Sequence, residues 1–253
     1  MIHPTALIDS DLPDDAEVGP YAVVGPEVTL GSGCSIGPHA VVMGPTDIAS
    51  GVKIGPGAVV GTDPQDMKYS GERTTLEIGE GTVIREFANL NRGTAATGST
   101  VVGKNCLVMA YVHIAHDCKI GDNVVLANAV NLAGHVRIGD HARVGGVVPV
   151  HQFVRIGAHS MIGGGYRVSK DVPPFALAGG YPLRVVSMNK VGLRRDGFTP
   201  ERIDLLRKVF HRLFRSEGVL SEKASVILEE GGWGEDSEAL ARFVISSERG
   251  VII

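Results

Sequence analysis

The segment His113-Ile114-Ala115-His116-Asp117-Cys118 is the densest polar cluster on an otherwise apolar stretch of this 253-residue chain. A neutral imidazole is the natural general base near pH 7, and an adjacent carboxylate can hold its tautomer and stabilise the imidazolium that forms. His116 with Asp117 fits that requirement, and His113, His135 and His151 are imidazoles that could gather near the same edge. No Ser-centred nucleophile elbow is present. Gly145-Gly146 and Gly163-Gly164-Gly165 lack the strand-loop-helix setting of a phosphate cradle. Without a covalent nucleophile, direct attack by a base-activated substrate hydroxyl is the simplest chemistry.

The elements that must position these residues follow a six-residue period. Aliphatic residues keep one phase from Val18 to Val60, a second from Val102 to Val168, a short run at Ile78, Ile84 and Leu90, and an opening pair at Ile2 and Ile8. A period of six drifts around a 3.6-residue helix and leaves no apolar stripe, so the pattern predicts short parallel strands joined by turns. The result is a prism whose first-position aliphatics point to the axis and whose coils stack to cover one another. The second position is often Gly, as at Gly19, Gly37, Gly121 and Gly139, for positive φ or for close backbone approach. The fifth position is small, and Cys34, Cys106 and Cys118 all occupy it as core filler. With three hexads per coil, His116 stacks with Gly134 and Gln152, Asp117 with His135 and Phe153, and His151 with Ala133 and Ala115. His39, His141 and His159 fall at the variable fourth position and read as outward corner residues. Zinc is a poor use of this cluster: the hexad solenoids of γ-class carbonic anhydrases separate their paired histidines by four residues, whereas His113 and His116 are separated by two. No metal is expected.

Thr62–Glu77 and Gly93–Val101 interrupt the period and read as loops on one face, often the binding face of a repeat protein. Asp9–Glu17 reads as an acidic edge of the first coil. After Pro173-Pro174 the pattern becomes helical, with Thr199 as N-cap, Pro200 at the first helical position, and Ile203, Leu206, Val209, Phe210, Leu213 and Phe214 as an apolar stripe. Further helices are expected near Ser221 and at Asp236 or Ser237. Nine basic residues against three acids between Arg184 and Arg215 form either a solvated face or a surface for an anionic partner. A net charge of -4 removes any global case for nucleic acid. Three cysteines, an acidic start without a signal-peptide core, and no run of 18 apolar residues point to a cytoplasmic chain with no integral membrane segment.

The ordered set of QDMKYSGE at Gln65–Glu72, NRGT at Asn91–Thr94, HIAHDC at His113–Cys118, LAGHV at Leu132–Val136, VHQF at Val150–Phe153, IGAHSMIGGG at Ile156–Gly165 and DVPPF at Asp171–Phe175 resembles the UDP-N-acetylglucosamine O-acyltransferase family of lipid A biosynthesis. The resemblance implies a mainly β fold: a left-handed parallel β-helix of hexapeptide repeats over 1–185, then a small α-helical domain over 186–253. It implies a homotrimer with active sites between subunits and no cofactor. The reaction would move an (R)-3-hydroxyacyl group from acyl carrier protein to the glucosamine 3-hydroxyl of UDP-N-acetylglucosamine. Carried over by position, His116 is the general base, Asp117 its partner and the Gly134 backbone N–H the oxyanion donor. Asp66, Lys68, His113, His135 and His151 resemble residues lining the substrate site, and Gln152, Asn189 and Arg195 resemble nucleotide contacts. Gly164 matches a position whose small size leaves a long acyl groove. Asn91, Val191 and Asp196 depart from the family pattern at the sugar and nucleotide ends. They leave open transfer onto the nitrogen of a 3-amino-3-deoxy sugar. Acyl-CoA as donor and a non-catalytic solenoid that binds a ligand also stay open.

Overall fold

An apolar side chain at every sixth residue reaches one interior only if the backbone turns after each short strand. The computed structural model, which describes all residues from Met1 to Ile253, coils the chain in this way as a three-sided prism. The coil is left-handed. Its faces are an eight-stranded sheet from Leu7–Ile8 to Pro149–Val150, a seven-stranded sheet from Val28–Leu30 to Arg155–Ile156, and a ten-stranded sheet that begins at Glu17–Val18. Each coil visits the ten-, eight- and seven-stranded faces in that order.

Register partners lie 18 residues apart in the regular coils, as in Val108 with Leu126 and Leu126 with Val144. Ile54 instead pairs with Ile84, and Ile84 with Val108, so these two coils are 30 and 24 residues long. Both additions fall at the corner between the eight- and seven-stranded faces, which also carries His116 and Asp117. Strands Thr75–Ile78 and Ser99–Val102 begin inside the expected insertions, because TLEI and STVV already alternate outward and inward. The loops proper are 63–74 and 92–98.

The aliphatics from Val18 to Val168 are buried in one core, each worth ~1.5–3 kcal/mol relative to exposure. Ile2, at the open end of the prism, is 46% exposed. The three cysteines are buried, and burial pushes the Cys118 thiol up to about 12, which makes it an inert filler. Close approach, and not positive φ, explains the second-position glycines: a Cβ on Gly37 would lie 2.7 Å from the Pro56 nitrogen. The left-handed residue falls two places later, at Tyr21, His39, Asn105, Asp117, His135, His141, Phe153 and His159, so the histidines expected to be mere corner residues sit on the sharp bend itself.

Beyond the last coil, strands Ala176–Gly179 and Arg184–Met188 form a hairpin on the ten-stranded sheet, the second strand running through residue 185. Four helices follow: α1 (Lys190–Arg195), α2 (Pro200–Arg215), α3 (Leu220–Glu230) and α4 (Glu235–Ile245). The Thr199 hydroxyl caps α2, and Ile203, Leu206, Val209, Phe210 and Leu213 bury its stripe. Helix α1 is too short to leave a period in the sequence. Of the nine basic residues between Arg184 and Arg215, five are held in ion pairs: Arg195 with Asp196, Arg202 with Asp236, Arg207 and Lys208 with Asp204, and Arg212 with Glu230. No helix is long and apolar enough to cross a membrane.

Candidate active site

The 18-residue register puts His116 directly over Gly134. A Cβ on Gly134 would lie 2.5 Å from His116 Cε1 and 2.8 Å from Nε2, so the imidazole occupies the space a side chain would take. His116 Nδ1 lies 2.7 Å from Asp117 Oδ2, and the Asp117 side chain is fully buried. Burial pushes the Asp117 carboxyl upward, but hydrogen bonds from Thr97, His116 and Thr94 outweigh it and hold the group below the usual carboxylate range. An ionised carboxylate only accepts, so Nδ1 carries the proton and Nε2 presents its lone pair. That tautomer is the one a general base needs. The donor atoms of His116, Asp117 and His135 lie within 4.8 Å of one another. The Gly134 N–H has no acceptor within the chain, which leaves a backbone donor free beside the base.

The other expected neighbours divide. His135 stands edge-on to His116 with centroids 5.2 Å apart, stacks on Phe153 at 4.4 Å, and brings Nε2 to 3.6 Å from Asp117 Oδ2. His113 projects outward from its strand with Nδ1 2.8 Å from Asn89 Oδ1. His151 and Gln152 stay at this corner, with His151 Nδ1 3.1 Å from the Gln152 carbonyl. Loop 63–74 carries Asp66, whose carboxylate accepts from the Lys68 N–H and whose charge reaches His135. Buried Arg92, not anticipated from the sequence, stitches the two loops to the solenoid by donating to the carbonyls of Gly44 and Gly61, to Asp63 and to the Tyr69 hydroxyl. Thr94 and Thr97, also unanticipated, donate to the Asp117 carboxylate.

Asn189, Arg195 and Gly164 do not join this cluster within one chain. Asn189 caps α1 by accepting from Gly192 N–H, and it donates to the His159 carbonyl at the corner between the seven- and ten-stranded faces. Arg195 ends the same helix. Asp196, next to it, accepts from His159 Nδ1 at 3.0 Å, and His159 stacks on His141 at 4.6 Å. Gly164 lies at the third corner, where a Cβ would sit 3.1 Å from the Gly146 carbonyl oxygen. Asn91 is buried, its amide donating to Thr62 Oγ1 and the Asp63 carbonyl.

Burial holds three imidazoles, His113, His135 and His159, below their ordinary range, His135 against the opposing pull of Asp117 and His159 against that of Asp196. As pH falls below about 6.5 the unfolded chain takes up these protons before the folded one does, so stability falls with pH in that window. Asp117 and Asp196, held below the carboxylate range, stay ionised in both states there and contribute nothing to the slope. The thermal midpoint, read by calorimetry, should drop between pH 7 and pH 5, and His113→Gln should flatten the slope. A midpoint that does not move across this range would contradict the burial argument.

Residues 171–252 match a family model described as UDP N-acetylglucosamine O-acyltransferase, domain 2, and residues 9–44, 30–62 and 99–134 match bacterial transferase hexapeptide repeats. A curated protein of Thermodesulfovibrio yellowstonii named acyl-[acyl-carrier-protein]--UDP-N-acetylglucosamine O-acyltransferase is 42% identical over 253 residues, which span 99% of this chain and 98% of the relative. A protein of the same name from Chlorobium phaeobacteroides is 61% identical over 223 residues, 87% of this chain and 84% of the relative. The crystal structure of a UDP-N-acetylglucosamine acyltransferase from Bacteroides fragilis superposes with a TM-score of 0.93 at 37% identity, covering 100% of both chains.

Proposed function

The chain belongs to the UDP-N-acetylglucosamine O-acyltransferase family, and from that premise we propose that it moves an (R)-3-hydroxyacyl group from acyl carrier protein to the glucosamine 3-hydroxyl of UDP-N-acetylglucosamine, the step that starts lipid A synthesis. His116 Nε2 takes the proton of the 3-hydroxyl while that oxygen attacks the thioester carbonyl. The Gly134 N–H holds the oxyanion of the tetrahedral intermediate. Collapse breaks the carbon–sulfur bond, and the imidazolium returns its proton to the departing carrier thiol. The observation that carries this reading is the His116 ring, held at 2.7 Å by a fully buried carboxylate and lying against a glycine whose N–H is free.

The three corners support an assembly. One chain spreads the expected residues over separate edges: His116 on one, Gly164 on another, Asn189 and Arg195 near the third. A cleft between chains is the way such edges can meet. The corner between the ten- and eight-stranded faces carries an exposed apolar ridge of Tyr21, Phe87, Tyr111 and Val147, each more than half exposed, with the Phe87 and Tyr111 rings stacked at 5.3 Å. Exposed apolar side chains ranged along one edge mark a protein interface, and a homotrimer buries them along a common axis. Phe87→Glu with Tyr111→Glu should convert a trimeric mass in light scattering to a monomeric one and lose turnover. Full activity in a monomeric variant would exclude a site shared between subunits.

Incubating the purified protein with 3-hydroxyacyl carrier proteins of several lengths, UDP-N-acetylglucosamine and its 3-amino analogue, with products weighed by mass spectrometry, tests the reaction. A 3-O-ester of UDP-N-acetylglucosamine is expected, and Gly164 favours a longer chain. An amide formed with the amino sugar alone would move the acceptor to nitrogen. No product with any carrier would overturn the reading.

A further inference from the structure

The longer coil between Leu90 and Val102 brings three threonines, spaced three residues apart, onto one acidic residue. Thr94 donates twice to the Asp117 carboxylate, from its N–H at 3.0 Å to Oδ1 and from its hydroxyl at 2.7 Å to Oδ2. The Thr97 hydroxyl, which has the Ser99 carbonyl oxygen at 3.0 Å as its other acceptor, lies nearer the charged Oδ1 and donates to it. The Thr100 hydroxyl accepts the Asp117 N–H at 2.8 Å. The Ala96 N–H donates to Thr94 Oγ1 at 3.2 Å, which orients that hydroxyl with its proton toward the carboxylate. With His116 Nδ1 on Oδ2, the buried carboxylate has four donors, two on each oxygen.

We propose that Thr94 and Thr97 are positioning residues for the acyl transfer, and that the six extra residues of this coil exist to seat the Asp117 carboxylate so that it faces His116 rather than the competing His135. The inference rests on the reading of His116 as the base. Asp117 sits on a left-handed bend, φ 62°, where its own backbone fixes only the direction of Cβ. Two imidazoles reach for its Oδ2, His116 at 2.7 Å and His135 at 3.6 Å. The Thr94 hydroxyl on Oδ2 and the pair of donors on Oδ1 fix the carboxylate plane, and with it the His116 ring. They also spread the negative charge. A carboxylate stripped of one donor pulls harder on the imidazole proton and favours the imidazolium, which is the form that cannot act as base. Thr97 is exposed and lines a cavity of about 540 Å³ together with Asp117, Lys119, His135, Arg137 and Phe153.

Thr97→Val removes the hydroxyl and keeps the shape. The expected result is a kcat lower by about tenfold with KM for the nucleotide sugar within about twofold, the loss of one hydrogen bond to a charged group. The acid limb of the pH profile should move toward higher pH. Thr97→Ser should restore both. NMR of the His116 ring signals across pH, on the resting protein, reads the same shift without turnover. It distinguishes failure of this inference from failure of the functional reading, which His116→Ala tests separately. Thr94→Val should act in the same direction and more strongly, with the thermal midpoint recorded to separate loss of fold. Wild-type kcat, pH limb and ring titration in Thr97→Val, or a serine variant no better than the valine one, would overturn the assignment.

Discussion

His116→Ala abolishes transfer: kcat falls ~10²–10⁴-fold, the range a positioned general base supplies, while the binding of nucleotide sugar and carrier changes little. The loss should be kinetic because Nε2 presents the lone pair, and no other imidazole of the corner shares its geometry. His135 reaches the same carboxylate oxygen only at 3.6 Å, and His113 is turned to Asn89. The substitution also takes one donor from a buried carboxylate, at a cost of ~1–3 kcal/mol. Three donors from Thr94 and Thr97 remain, so the protein stays folded with a modestly lower thermal midpoint. Single-turnover assays with saturating substrates separate the two effects. A variant that turns over at the wild-type rate would remove His116 from the mechanism and leave the free Gly134 donor without a base beside it.

The register makes this corner legible in the sequence. Residues 116, 134 and 152 differ by one coil each, and the stack of His116 on Gly134 follows from that spacing alone. The same arithmetic already separates Gly164, which lies two hexads beyond Gln152 and so belongs to another edge; a resemblance read residue by residue obscures that separation. The bend position is harder to read because Gly is the usual signal for positive φ, whereas here Tyr21, His39, Asp117 and Phe153 adopt it. Stacking with the coils above and below holds these residues where local preference alone would not. The threonine seat is hidden for a different reason. Its residues leave the six-residue phase, and no periodic rule says where an interrupted coil folds. Its one sequence signal is the length of the interruption at the corner of the histidines. The contacts of Asp196 with His159, and of Asn189 with the His159 carbonyl, join the helical tail to the solenoid across 37 and 30 residues, without any period to announce them.

Gly134→Ala should cost nearly as much activity as loss of the base, with far less effect on the fold. Gly134 is outside the left-handed region, so an alanine there brings no backbone strain. The atoms nearest its Cβ belong to the His116 ring, Cε1 at 2.5 Å and Nε2 at 2.8 Å. The ring is the far end of a side chain and can swing away, which makes the substitution cheap in stability. Swinging away, however, breaks the 2.7 Å bond to Asp117 and displaces Nε2 from the substrate hydroxyl. The methyl group also crowds the N–H meant for the oxyanion, a donor worth ~10²–10³-fold in comparable sites. A thermal midpoint close to wild type with kcat down by ~10²-fold or more is therefore expected. Gly164→Ala serves as the contrast: its Cβ would meet the Gly146 carbonyl oxygen at 3.1 Å, on another corner, so that variant should keep the chemical rate and alter at most the preference for acyl length. If Gly134→Ala turned over as fast as the wild type, the imidazole could not be using the place beside that glycine, and the base and oxyanion donor would have to be sought elsewhere on the prism.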